Sequence, residues 1–326
     1  MRWRGRRQSE NVEDRRSEGG RRAGFPFPFP GSRQGGGARI PTGRRKGGGI
    51  GIMGILVILG LMYFFGVDPS VIMQGGDTGV QMPELQLPKS QNPNKQVTTR
   101  KAPQAQKPSS TSAGDLKGFV SVVLADTEDV WNAVFKQYGR NYREPKLVLF
   151  SGSTRSACGT GLAQMGPFYC PLDQKVYVDL SFYRELKSKF RAPGDFAQAY
   201  VIAHEVGHHV QTLLGIADKV QKTKARMSQR DANALQVRME LQADCFAGVW
   251  AKYANRTKSI LEPGDIEEAL NAASAIGDDR IQKQQQGYVV PDAFTHGSSK
   301  QRVRWFKGGF ESGDIQQCDT FNADRL

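Results

Sequence analysis

The 326-residue sequence predicts an α+β fold: a helix-dominated domain with a small sheet over residues 115–326, preceded by one transmembrane helix. Three observations predict it. After residue 180, apolar residues recur at helical spacing through long proline-free stretches. Two short runs, 146–150 and 175–180, read as strands instead. Upstream, residues 47–67 carry no charge over about 20 positions, the length that crosses a roughly 30 Å hydrocarbon core.

In the folded part, Thr127 caps a helix carrying Val130, Trp131, Val134 and Phe135 that ends near Gly139. Lys-Leu-Val-Leu-Phe at 146–150 is a buried strand. A loop rich in turn residues runs from Cys158-Gly159-Thr160-Gly161 to Gly166-Pro167-Phe168-Tyr169-Cys170-Pro171. Lys-Val-Tyr-Val-Asp-Leu at 175–180 alternates as a half-buried strand does, and Val176, Tyr177 and Val178 are expected to present an edge for an extended peptide. Helices follow over 181–190, 195–214, roughly 228–254, 263–276 and 298–310. No internal repeat interrupts them.

The front of the chain differs in composition. Residues 1–46 hold thirteen Arg and Lys against four Asp and Glu, giving +9 of the formal +13. Phe25-Pro26-Phe27-Pro28-Phe29-Pro30 and the glycine runs cannot bury enough apolar surface to offset ordering, so 1–46 is expected to be a disordered basic tail. Because this charge lies on a tail and not on a folded face, no nucleic-acid partner is expected. Contact of Arg44, Arg45 and Lys46 with anionic lipid is the simpler role. The same flank keeps the N-terminus of a 47–67 anchor in the cytoplasm and sends everything after Val67 across. A cleaved signal peptide is the rival; the long hydrophilic lead-in and the lack of a small-x-small cleavage site weigh against it. Residues 68–114, rich in Pro, Gln, Ser and Thr, are expected to be a linker.

Four cysteines in a domain outside the membrane suggest disulfides. Of the three pairings, Cys158–Cys170 with Cys245–Cys318 is favoured: the first closes a short Gly/Pro loop, the second ties the C-terminal segment to a long helix. Cysteine ligation of zinc is the alternative, without any C-x₂-C spacing to support it, and buried free thiols are a third.

The chemistry sits at Ala203-His204-Glu205-Val206-Gly207-His208. On a helix, His204 and His208 project from one face one turn apart, the separation at which one Zn²⁺ takes two nitrogens. Glu205, offset by about 100°, lies beside the metal and serves as base to a water. Gly207 costs about 1 kcal/mol in a helix interior, which implies a close packing contact. His209 points away and reads as a surface or supporting histidine, not a ligand. A third ligand is needed, and the metzincin continuation His-x-x-Gly-x-x-His is absent. Glu240 and Asp244 share a face at i, i+4 among Ala, Leu, Cys, Phe and Gly, poor company for a solvated stripe. Glu240 is expected as the third ligand, with Asp244 accepting the other ring N–H of a liganding histidine; these two roles are interchangeable at this stage.

His204-Glu205-x-x-His208 followed by Glu240-x-x-x-Asp244 resembles the glutamate-zincin arrangement. The fuller strings from His204 to Gln211 and from Glu240 to Trp250, with Gly166–Pro171 and Thr295-His296-Gly297-Ser298-x-x-Gln301-Arg302, are similar to the bacterial neutral zinc metallopeptidase family, from about residue 45 onward. That resemblance implies a zincin-like metallopeptidase domain, one zinc per chain, a peptide or protein substrate, and a bacterial inner-membrane protein with its catalytic domain in the periplasm. His296 and Arg302 lie in a segment similar to the His-Pro…Arg segment of membrane-associated zinc proteases, with Gly297 in place of proline. Either residue is a candidate for stabilising the oxyanion, and Tyr169 is a weaker one. The expected activity is peptide-bond hydrolysis by a zinc-activated water with Glu205 as general base. A zinc-dependent envelope binding or scaffold protein with lost or regulated peptidase activity is the alternative.

Overall fold

A computed structural model describes residues 1–18 and 113–326, and the expected anchor over 47–67 and most of the linker lie outside them. Among the described residues no helix is long and apolar enough to cross a membrane. In chain order the elements are β1 (Val12–Asp14), α1 (Ala113–Gln137), β2 (Lys146–Phe150), β3 (Ser153–Ser156), β4 (Gly159–Leu162), β5 (Phe168–Cys170) and β6 (Lys175–Asp179), then α2 (Ser181–Ser188), α3 (Asp195–Leu213), α4 (Ile216–Lys224), α5 (Gln229–Lys258), α6 (Asp265–Ala275), α7 (Asp278–Gln286) and α8 (Ser299–Ser312). The architecture is the helix-dominated α+β expected, with a four-stranded sheet ordered β1-β2-β6-β5 and a separate β3–β4 hairpin.

In the four-stranded sheet, β1 and β6 flank β2 in parallel and β5 runs antiparallel to β6. Val148 and Tyr177 face one side while Leu147, Leu149, Val176 and Val178 face the main core, and all are nearly sealed from solvent, as central strands covered on both faces are. The expectation that β6 offers a free edge is therefore corrected. Phe168, Tyr169 and Cys170 pair with Tyr177, Val176 and Lys175, so β5 forms the edge on that side of the sheet and β1 the other. The two-stranded hairpin replaces part of the expected loop, and α4 and α7 are further elements that the periodicity did not separate.

Thr127 does not start a helix. It lies within α1, where its hydroxyl donates back to the Leu124 carbonyl at 2.7 Å, a bond that leaves the helix intact. The apolar residues around it run from Phe119 to Phe135 and pack Trp131 edge-on against Phe246 of α5, centroids 5.5 Å apart. Ser228 caps α5 by accepting from the Asp231 N–H, and Ser298 with Gln301 closes a full capping box at the start of α8. Disulfides join Cys158 to Cys170 and Cys245 to Cys318, the second fastening α5 to the turn after α8.

A second correction concerns the front of the chain. Residues 1–18, assigned from composition to a disordered tail, are built into the domain. Val12, Glu13 and Asp14 pair with Leu147, Val148 and Leu149. The basic residues that argued for disorder have acidic partners on distant elements: Arg6 meets Asp126 at 2.6 Å, and Arg7 meets Asp129 at 2.6 Å and Glu128 at 3.0 Å. The Met1 nitrogen lies 2.5 Å from Asp195 and 3.2 Å from Asp265. Low hydrophobicity was offset by ion pairs supplied from elsewhere in the chain.

Candidate metal centre

Helix α3 carries His204, Glu205 and His208, and α5 carries Glu240 and Asp244. The two helices approach closely because position 207 is glycine: a Cβ there would stand 3.0 Å from the Ala243 carbonyl oxygen and 3.1 Å from its Cα. That approach is the packing reason the sequence implied. It brings Glu240 Oε2 to 3.2 Å from His204 Nε2 and 3.3 Å from His208 Nε2. One ligand atom from each of the three residues falls within 4.8 Å of the others, a cluster able to hold a metal ion. His204 and Glu240 are buried and His208 is nearly so.

Each imidazole is oriented by a bond at its other nitrogen. His204 Nδ1 donates to Asp244 Oδ1 at 2.8 Å, and His208 Nδ1 donates to Gln211 Oε1 at 2.9 Å. Both Nε2 lone pairs are thereby directed at the space beside Glu240. Gln211, which the sequence reading passed over, is itself fixed by donating to the Met239 carbonyl at 2.7 Å. Asp244 is fully buried and held by Arg302, with Tyr200 donating to it at 2.5 Å. Burial raises the Asp244 carboxyl, but Arg302 and His204 outweigh it and hold the pKa at about 2. Burial lowers His204, yet Asp244 and Glu240 carry it to about 10. Burial likewise raises Glu240, which the two imidazoles hold well below the usual carboxylate range. A cation entering the cluster thus displaces protons.

Two nitrogens and a carboxylate oxygen, converging from rigid helices with both histidines held by hydrogen bonds, form a donor set that suits zinc. Glu205 does not join it. It lines a cleft of about 460 Å³ with His204 and His296, walled by Met165, Pro167, Phe182, Phe190, Ile276 and Ile281. Burial pushes its carboxyl up.

His296 reaches the cleft from the loop before α8. Its Nδ1 lies 3.4 Å from Asp278 Oδ1, while Asp278 Oδ2 accepts from the N–H groups of Thr295, His296 and Gly297 at 2.7, 2.6 and 3.0 Å. Partial loss of hydration lowers the His296 pKa, and Asp278 lifts it above the ordinary value. Gly297 has φ +90°, which proline cannot adopt, so the glycine at this point belongs to a different loop path. Arg302 also lines the cleft, and its donors are engaged there: Nε and Nη2 bind Asp244, Nη2 also reaches the Tyr200 hydroxyl at 3.1 Å, and Nη1 donates to the Ile276 carbonyl at 3.3 Å.

His209 is not at the surface. It is fully buried, donating from Nε2 to the Arg143 carbonyl at 2.6 Å and accepting at Nδ1 from the Tyr169 hydroxyl at 3.0 Å. Burial lowers its pKa to about 4, so it stays neutral and pins β5 to α3. Tyr169 is committed to that bond.

Fold and site together define a class: a helical domain with an H-E-x-x-H metal cluster completed by a glutamate from a second helix. The chain belongs to the family described as "Putative neutral zinc metallopeptidase", which matches residues 1–321. The match starts at residue 1, not near residue 45, consistent with the docked N-terminal strand. "Uncharacterized protein YpfJ" of Escherichia coli (strain K12) is 49% identical over 322 residues, 98% of this chain and 99% of the relative. "Uncharacterized protein Rv2575" of Mycobacterium tuberculosis (strain ATCC 25618 / H37Rv) is 43% identical over 225 residues, 66% of this chain and 75% of the relative. No solved structure matches the chain.

Proposed function

We propose that the protein is a zinc-dependent peptidase that hydrolyses peptide bonds in the cleft between α3, α7 and the segment before β5. The observation that carries this reading is the division of labour on α3: His204 and His208 turn toward Glu240, while Glu205 turns toward the cleft. Zinc held by His204, His208 and Glu240 supplies Lewis acidity at a scissile carbonyl and lowers the pKa of a water.

The chain's own groups do the rest. Glu205 takes the proton from the attacking water and passes it to the leaving amine. His296, whose pKa the neighbouring Asp278 raises, faces the same cleft and stabilises the carbonyl oxygen as it gains charge. Residues Gln164–Pro167 lead into the edge strand β5, along which an extended substrate aligns, and the wall of Phe182, Phe190, Ile276 and Ile281 receives an apolar side chain.

Digestion of a peptide library by the purified full chain, alone, with chelator and with zinc restored, tests the reading. Cleavage that chelator stops and zinc restores is expected. A zinc-loaded, folded protein that cuts nothing in a broad library overturns it.

A further inference from the structure

Residues 1–18 and 113–326 are one folded object. Leu147 donates to the Asn11 carbonyl and Arg15 to the Leu149 carbonyl, each at 2.8 Å, which hydrogen-bonds the chain into β2 on either side of β1. Ser9 N–H bonds the Ser121 carbonyl of α1 at 3.0 Å, and the Ser9 hydroxyl donates to buried Glu128 at 2.5 Å. Trp3 packs edge-on against Phe119 with centroids 5.5 Å apart, and Lys175 of β6 reaches Glu13 at 3.1 Å. Ladder bonds, a buried hydrogen bond and an aromatic contact across more than 100 residues of sequence are the marks of a folded pairing, not of a loose tail.

A bilayer cannot lie between strands that share hydrogen bonds. A chain that crossed once between residue 18 and residue 113 would leave β1 on one face and β2 on the other. Exchange between copies would not repair this, because the N-terminal segment of every copy would start from the same face. The sequence between them holds one uncharged apolar run long enough to cross a bilayer, over 47–67, and about 20 residues suffice for one crossing only.

We propose that residues 1–18 and the metallopeptidase domain lie on the same side of the membrane, which excludes an odd number of crossings between residues 18 and 113. This replaces the topology expected from the positive flank and is independent of the peptidase reading, since it rests on strand pairing alone. It also gives the basic N-terminal segment a role that charge-based orientation misreads: Arg6 and Arg7 are committed to Asp126, Glu128 and Asp129.

The test uses the full chain expressed in Escherichia coli. The four native cysteines pair in disulfides, and the chain without an added cysteine, labelled in parallel, sets the maleimide background in either compartment. Glu10→Cys and Gln221→Cys, each at an exposed position, are treated in spheroplasts with a membrane-impermeant maleimide before and after permeabilisation. Both positions are expected to react alike, either both before permeabilisation or both only after it, and which of the two occurs identifies the compartment. Labelling of one before and the other only after permeabilisation overturns the proposal. Arg4→Cys, also exposed, replaces Glu10→Cys should that variant not accumulate.

Discussion

The Arg302 guanidinium grips both oxygens of Asp244, Nε to Oδ2 and Nη2 to Oδ1, at 2.9 Å each. Both residues are almost wholly buried, so this fork supports His204 and the packing of α8 on α5 at once. Asp244→Ala leaves a buried guanidinium unpaired. A loss of about 3–5 kcal/mol in urea unfolding is expected, with zinc affinity lower by about 10–100-fold. Replacing the pair together, Asp244→Leu with Arg302→Met, should restore most of the stability while zinc affinity stays reduced. Recovery of both would mean that Asp244 does not orient His204.

Glu205→Gln keeps the shape of the cleft and touches none of the three ligands. Metal analysis should find the wild-type zinc content, and kcat should fall by about 10²–10⁴-fold. Full turnover by this variant would remove Glu205 from proton transfer.

For His296, the expected signature is a fall of about 10²–10³-fold in kcat on replacement by alanine, with zinc content unchanged. Asp278→Asn should give a smaller loss, because the amide oxygen still accepts from the loop N–H groups while the charge that favours protonated His296 is gone. If His296→Ala alters KM alone, the side chain binds substrate without stabilising the oxyanion.

Docking of β1 should depend on pH through Glu13. Burial raises its carboxyl, but Lys175 and Arg15 more than offset this and bring the pKa from 4.5 to about 2. A depressed folded-state value means the contribution is complete above the unfolded value and disappears as pH falls through the folded one. Protection of the amides at 12–14, taken relative to their intrinsic exchange rates, should therefore be full at pH 5 and above and should fall between about pH 4.5 and pH 2. Glu13→Gln should flatten that change, and an unaltered profile would place the pH sensitivity elsewhere.

The two disulfides differ in reach, with sequence separations of 12 and 73. Loop-closure entropy gives about 3 kcal/mol for the short one and about 4–5 kcal/mol for the long one. The stability losses of the Cys158→Ser/Cys170→Ser and Cys245→Ser/Cys318→Ser variants in urea should rank in that order, the second having the lower midpoint, and equal losses would point to a dominant contribution other than chain entropy.

How far the site was legible depended on whether its geometry is local. His204, Glu205 and His208 are fixed by helix periodicity, and the i, i+4 spacing of Glu240 and Asp244 on one apolar helix identified the acidic partners. Gln211 lay within reach of the same reasoning, one turn beyond His208, but a neutral amide carries no chemical flag. Asp278 stands 18 positions before His296 and joins it only through the folding of α7 and its following loop. β1 was hidden for a related reason: Val-Glu-Asp between arginines looks solvated until its ladder partner and Lys175 arrive from elsewhere. Of the two readings of His209, the surface one fails because helical phase reports which way a residue points, not what a strand such as β5 later lays over it.

The unequal support of the two imidazoles has an electrostatic consequence. Asp244, though anionic, is cancelled by Arg302, and Gln211 is neutral, so the shell behind the histidines adds no net charge. A dication held by His204, His208 and Glu240 would be opposed by one carboxylate among its holders, and in the proposed reaction Glu205 would lose its own charge on accepting a proton. The surplus of positive potential would then face the open cleft as an electron-rich oxygen formed there.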